Sequence, residues 1–152
     1  MKKLPGDVLG YFEKRGVVIV STIDPKGHIH CAAKGIVRMD ASGKVYLLDL
    51  YHGQTFQNLR GNPAIAITAI DERHFSGYTL QGKAKVVEDK LVPEDVAKWE
   101  ERVAKRITSR IIDSLQREVK SSVHPEAHLP KPKYLIVMSV DQIIDLSPPG
   151  RR

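Results

Sequence analysis

The stretch from Val17 to Pro63 limits what this chain can fold into more than any other part of it. Two tight turns, Asp24-Pro25-Lys26-Gly27 and Asp40-Ala41-Ser42-Gly43, separate three runs rich in β-branched and apolar residues. In the first turn Pro25 takes the second position and Gly27 stands where a positive φ is needed. Connections this short leave no room for a parallel crossover, so Val17–Ile23, His28–Met39 and Lys44–Leu50 are expected as antiparallel neighbours. The segment Gly53-Gln54-Thr55-Phe56-Gln57-Asn58-Leu59-Arg60-Gly61-Asn62-Pro63 then starts on Gly and stops at Asn-Pro, which outlines a short helix.

The flanking sequence extends this β pattern. Leu4, Val8, Leu9 and Phe12 recur at helical spacing before Gly16, so a short helix precedes the first strand. Ala64–Ile70 reads as a buried strand, Asp71–Gly77 as a polar loop, and Tyr78–Val87 alternates with the period of a half-exposed strand. Pro93, Glu94 and Asp95 open a long helix in which Trp99, Val103, Ile107, Ile111, Leu115 and Val119 repeat every four residues. Pro125, Pro130 and Pro132 keep the next segment irregular, Tyr134 to Leu146 gives a last strand, and the Pro-Pro-Gly-Arg-Arg tail is expected to fray. The sum is a mainly β chain of six mostly antiparallel strands, which suits a small barrel with helices outside it.

A chain of 152 residues with 41% hydrophobic content buries one proper core, so residues 1–152 are expected to form a single domain, with 93–132 a helical insertion before the last strand. The one cysteine, Cys31, forms no intrachain disulfide, and Met1-Lys2-Lys3-Leu4-Pro5-Gly6 leads into no secretory apolar run. A cytoplasmic home follows as an expectation, and no run reaches the length of a membrane helix. The formal charge of +6 favours anionic partners. Lys98, Arg102, Lys105, Arg106, Arg110, Arg117 and Lys120 are interleaved with acids on the long helix, so a solvated face is expected there and nucleic acid is not.

Four constellations carry chemistry in principle. Gly77-Tyr-Thr-Leu-Gln-Gly82-Lys83-Ala84 nearly spells a phosphate-binding P-loop, but Ala84 stands where a magnesium-holding hydroxyl belongs and the setting is a strand. His28 and His30, with His124 and His128, lack carboxylates to complete a ligand set, so no metal site is expected. Cys31 reads as a small buried or cofactor-lining residue, because its neighbour His30 points to the opposite face. At Gly53 to Pro63, free N–H groups at a helix start, the Thr55 hydroxyl and the Gln54 amide converge on a place for an anion, against the plainer reading of an ordinary capped helix.

The order strand, DPKG turn, strand, DASG turn, strand ending in Tyr46-Leu47-Leu48-Asp49, then GQTFQNLRGNP, strand, and Gly-Tyr-Thr-Leu-Gln-Gly-Lys-Ala resembles the pyridoxamine 5'-phosphate oxidase-like family of FMN-binding split barrels. The resemblance covers Leu4 to Asp89, and Tyr134 to Leu146 is similar to the family's last barrel strand. It implies a six-stranded antiparallel Greek-key split barrel and a homodimer with FMN in the interface grooves. It implies further that Gly53, Gln54 and Thr55 hold the phosphate, with Arg38 or Lys34 supplying its countercharge. Ala33, Lys34 and Gly35, together with Cys31 and Ala32, would run along the isoalloxazine, and Leu48, Asp49 and Leu50 would approach it from the third strand. Two departures stand out: Gln54 and Thr55 replace the Arg or Lys of many members, and Ile144-Asp145-Leu146-Ser147-Pro148-Pro149 lacks the Arg-Leu-x-Pro ending that helps the oxidases hold substrate. The expectation is therefore a flavin-dependent oxidoreductase of unassigned substrate, with catalytic residues unnamed. The alternatives are a deazaflavin reductase using Lys83, Lys85 or Arg73, a haem-handling protein using His52 or His74, and a non-enzymatic flavin carrier.

Overall fold

In the computed structural model, which describes residues 1–117 and 129–150, the six expected strands are all present. They are β1 (Val18–Ile23), β2 (Ile29–Met39), β3 (Lys44–Asp49), β4 (Ala64–Asp71), β5 (Ser76–Val87) and β6 (Tyr134–Asp145). They close into a barrel in the order β1-β2-β3-β6-β5-β4, with β4 pairing back onto β1, and every pairing is antiparallel. Three helices, α1 (Gly6–Glu13), α2 (Gln54–Gly61) and α3 (Pro93–Gln116), lie outside it. The fold is thus the mainly β barrel with peripheral helices read from the sequence. Strands β4 and β5 run on to Asp71 and Ser76, so the polar loop between them shrinks to a tight hairpin end.

The turn residues act as their chemistry dictates. Asp24 Oδ1 accepts the backbone N–H groups of Lys26 at 2.9 Å and His28 at 2.8 Å, and Gly27 takes φ 83°. Asp40 Oδ1 likewise accepts from Ser42 and Lys44, and Gly43 takes φ 105°. Asn62 Oδ1 accepts the Ala64 N–H at 3.0 Å, so the Asn-Pro pair both ends α2 and starts β4.

Inward residues alternate along each strand, as a half-exposed sheet requires. Val18 and Val20, Val45 and Leu47, Ile65 and Ile67, Leu80, and Ile136 and Met138 fill the barrel, and Val8 and Phe12 of α1 pack against them. Gly82 lies where β5 and β6 shift register between Gln81 and Gly82, and a Cβ there would collide with the Ser139 carbonyl. The glycine of the near P-loop is therefore a strand-packing glycine, and Gly77 to Ala84 lie wholly within β5.

Helix α3 covers part of the outer face. Val96 and Trp99 pack on Val37, Leu48 and Leu135, which point away from the barrel interior. Polar ties hold it in place: Arg38 Nε and Nη2 reach Asp95 at 3.2 Å each, Arg102 Nη1 donates to the Ile36 carbonyl, and Arg106 Nη1 donates to the Gly16 carbonyl at 3.1 Å. Ile36 and Arg38 flank the point where the β2–β3 ladder slips register, so Arg102 meets a carbonyl beside the irregularity. The expected solvated basic face is thus corrected at Arg102 and Arg106, whose guanidiniums serve as docking groups. The apolar stripe is covered at Trp99 and Val103 but exposed at Ile111 and Leu115. Val119, Lys120, His124, Pro125, His128 and the terminal Arg151-Arg152 lie outside the described residues. Among the described residues no helix is long and apolar enough to cross a membrane.

Candidate functional site

Between the outer face of β2–β3 and α3 runs a cleft of about 400 Å³. Its floor is Ala32, Ala33, Lys34 and Gly35 of β2 with Leu48, Asp49 and Leu50 at the end of β3, and Val17, Tyr51, Trp99, Arg106 and Leu129 complete the walls. Strand alternation sorts the floor. Ala33, Gly35, Leu48 and Leu50 share the outward parity of the surface that Trp99 faces. Gly35 leaves that surface open, since the nearest atom to a Cβ built there is the Gly16 carbonyl oxygen at 3.8 Å. Small residues on the floor and an indole on the wall make a slot for a flat, mostly apolar group.

Lys34 and Asp49 line the cleft as residues, and strand parity sets their side chains on the inner face. Lys34 stands opposite Val18 and Asp49 opposite Tyr134, both core residues. Lys34 Nζ donates to Asp49 Oδ2 at 2.6 Å, the Tyr134 hydroxyl donates to the same oxygen, and the Leu50 N–H donates to Oδ1 at 2.9 Å. Burial, with the Asp49 carboxylate beside it, pushes the Tyr134 phenol well above its ordinary range. His52 stacks on Tyr134 with ring centroids 5.4 Å apart, and its Nε2 lies 3.2 Å from Glu88 Oε1.

The remaining expected site residues are placed apart from this floor. Arg38 is bidentate to Asp95, lies 3.6 Å over the Tyr46 ring and borders a separate small cleft with Glu13, Lys98 and Arg102. The hydrogen bond to Asp95 holds its guanidinium above the usual arginine range. Gly53 and Gln54 are exposed at the start of α2, three and four residues beyond Leu50, and no side chain caps that helix end. Gln54 Nε2 donates to Asn58 Oδ1 at 2.7 Å, and Asn58 Nδ2 donates to Thr22 Oγ1 at 3.0 Å, so the amide is engaged along the helix. Thr55 is buried. Cys31 is exposed, against the expectation of a small buried residue, with its Sγ 3.4 Å from Ser21 Oγ and no part in the cleft lining.

The family model for pyridoxamine 5'-phosphate oxidase matches residues 5–146. The chain belongs to that family. Solved structures share the family fold at low identity. HupZ of Group A Streptococcus is 18% identical over 95% of this chain and 94% of its own, with a TM-score of 0.64. A pyridoxamine 5'-phosphate oxidase-type protein of Lactobacillus delbrueckii is 17% identical over 95% of each chain, with a TM-score of 0.62. An F420 reductase is 15% identical over 93% of this chain and 98% of its own, with a TM-score of 0.58. No curated protein matches the sequence.

Within the family frame, Val17, Tyr51, Trp99, Arg106 and Leu129 are the cleft residues that sequence reasoning did not name. Trp99 and Arg106 were visible only as parts of a helix whose docking place the sequence does not reveal. The residues considered for the rival readings sit elsewhere: His74 Nδ1 lies 2.8 Å from Asp71 Oδ2 at the β4–β5 hairpin, and Lys83 and Lys85 are exposed on β5.

Proposed function

We propose that the chain is an FMN-binding oxidoreductase that works as a homodimer, with the flavin ring in the β2–β3/α3 cleft. The observation that carries this reading is that Ala33, Lys34, Gly35, Leu48, Asp49 and Leu50, expected around a ring from the family resemblance, all border one cleft with an open glycine floor and an aromatic wall. The residues fit the ring better than they fit a phosphate countercharge, because Lys34 and Arg38 are each committed to a carboxylate. Phosphate binding is therefore assigned to the N–H groups of Gly53, Gln54 and Thr55, where the helix start favours an anion.

Bound flavin supplies hydride or electron transfer, so the protein's part is binding, orientation and exclusion of water. Leu48, Leu50 and Trp99 provide the apolar contacts, and the Gly35 backbone lets the ring approach closely. A second copy is proposed to seat on the outer face of β1, β4 and the start of β2, where a shallow apolar cleft of about 380 Å³ includes Ser21, Ile23, Ile29, Ala64 and Ala66. Ile29 is 73% and Ile19 43% exposed in the single chain, which supports that placement.

The test is the absorption spectrum of the purified protein and its titration with FMN. Bands near about 370 and 450 nm that disappear when the cofactor is removed are expected. A single band near about 420 nm would redirect the assignment to a deazaflavin, as the F420 reductase fold suggests. A colourless protein that takes up no FMN at micromolar concentration would sink the flavin reading.

A further inference from the structure

We infer that Trp99 is a ligand-contacting, specificity-determining residue of the cleft, and that the Arg38–Asp95 pair is the device that positions it. The inference rests on the flavin reading of the cleft and goes beyond it, because it assigns recognition to a helix that the phosphate-and-strand motif does not include.

The geometry of α3 carries the argument. Asp95, Trp99, Arg102 and Arg106 follow one another at spacings of four, three and four residues, which places them on one face of a helix. That face is the one turned to the barrel: Asp95 meets Arg38, Arg102 meets the Ile36 carbonyl, and Arg106 meets the Gly16 carbonyl. Trp99 lies between the first tie and the other two, so the helix segment that carries the indole cannot shift along the barrel without breaking an arginine contact. Asp95 is only 1% exposed, and Arg38 gives it two N–H donors in a fixed fork, a geometry that sets direction as well as distance.

Trp99 is only half-buried, although it packs on Val37, Leu48 and Leu135. The same residue that docks α3 also lines the open cleft, together with Ala33 and Gly35. A docking residue alone needs no surface on the cleft. An indole facing a floor of small residues is what a flat heterocycle requires for stacking.

Trp99 is the sole tryptophan of the chain, so substitutions there remove one defined aromatic wall. The full-length protein, its Trp99→Phe and Trp99→Ala variants and Asp95→Asn are titrated with FMN, with thermal melts recorded alongside. The unmodified protein is expected to show a broad absorption tail on the red side of the flavin bands, from indole–flavin overlap. Trp99→Phe keeps affinity within about threefold and loses the tail. Trp99→Ala weakens affinity about tenfold or more, within the range for stacking a base on an aromatic ring. Asp95→Asn keeps the indole but loosens its hold, so the tail weakens. Affinity unchanged by Trp99→Ala overturns the inference, as does loss that Trp99→Phe fails to restore. If the unmodified protein takes up no FMN, the flavin reading itself fails, and this inference with it.

Discussion

Lys34 and Asp49 form an ion pair of 2.6 Å on the inner face of the barrel wall, and both residues also line the cleft beside it. The pair links β2 to β3, and the Tyr134 hydroxyl extends it to β6, so one carboxylate ties three adjacent strands. Its role is to tie these strands together, since strand parity sets both side chains on the inner face.

Removing one partner therefore costs stability. Lys34→Met leaves Asp49 buried without its countercharge, and the expected loss is about 3 to 5 kcal/mol in urea unfolding. Lys34→Met combined with Asp49→Asn removes both charges and recovers most of that loss, because a buried pair itself contributes little net stability. If the single variant is as stable as the unmodified protein, the pair does not tie these strands together.

The pH dependence of stability reports on Tyr134. Its phenol is held neutral in the folded state by burial and by Asp49, so its folded value lies above the unfolded one near 10.0. A raised pKa contributes stability that is fully present below about pH 10 and is lost as pH rises beyond it, at about 1.4 kcal/mol per pH unit. Tyr134→Phe is expected to be less stable at neutral pH through loss of the bond to Asp49, and to show a flatter alkaline limb. Parallel alkaline limbs for the two proteins would contradict this.

On the acid side the relevant group is Asp71, whose carboxyl is held below the usual carboxylate range by His74 and then by Arg15. A depressed value contributes stability above the unfolded pKa of about 3.8, and that contribution disappears as pH falls through the acid range. Asp71→Asn is expected to lose less stability than the unmodified protein between neutral pH and pH 3, read by thermal melting at each pH.

Assembly is tested by charge on the apolar outer face of β1 and β2. Ile29→Lys, or Ile19→Asp, places a charge where a second copy would bury it, and a shift from dimer to monomer is expected by sedimentation. Both residues are exposed in the single chain, so folding should survive the change. A variant dimer as tight as the unmodified one would move the interface elsewhere.

Much of the fold was legible because its signals are local. Asp24, Gly27, Asp40 and Gly43 carry their turn chemistry within four residues, and the strands between them follow from it. The cleft floor was not legible from local signals: Ala33, Gly35, Leu48 and Leu50 were named only through the family resemblance, and they line one cleft in the structure. The charged residues were harder to place. Strand parity turns Lys34 to the inner face that it shares with Val18, and its partner Asp49 lies fifteen residues away. Arg38 finds Asp95 at a separation of 57 residues, and no local pattern announces that contact. The far wall depends on where α3 docks, which is set by long-range contacts of this kind.

Arg38 separates the two roles available to it. As a phosphate ligand its loss would weaken FMN binding and leave folding intact. As the anchor of α3, Arg38→Ala strands the buried Asp95 carboxylate, with an expected loss of about 1.5 to 3 kcal/mol. Hydrogen exchange should then accelerate along Pro93–Gln116 before the barrel strands open, because the tie lies at the first turn of the helix. Adding Asp95→Asn to Arg38→Ala removes the stranded charge and is expected to restore part of the stability. Wild-type exchange along α3 in Arg38→Ala, together with a tenfold weaker FMN complex, would return Arg38 to the phosphate.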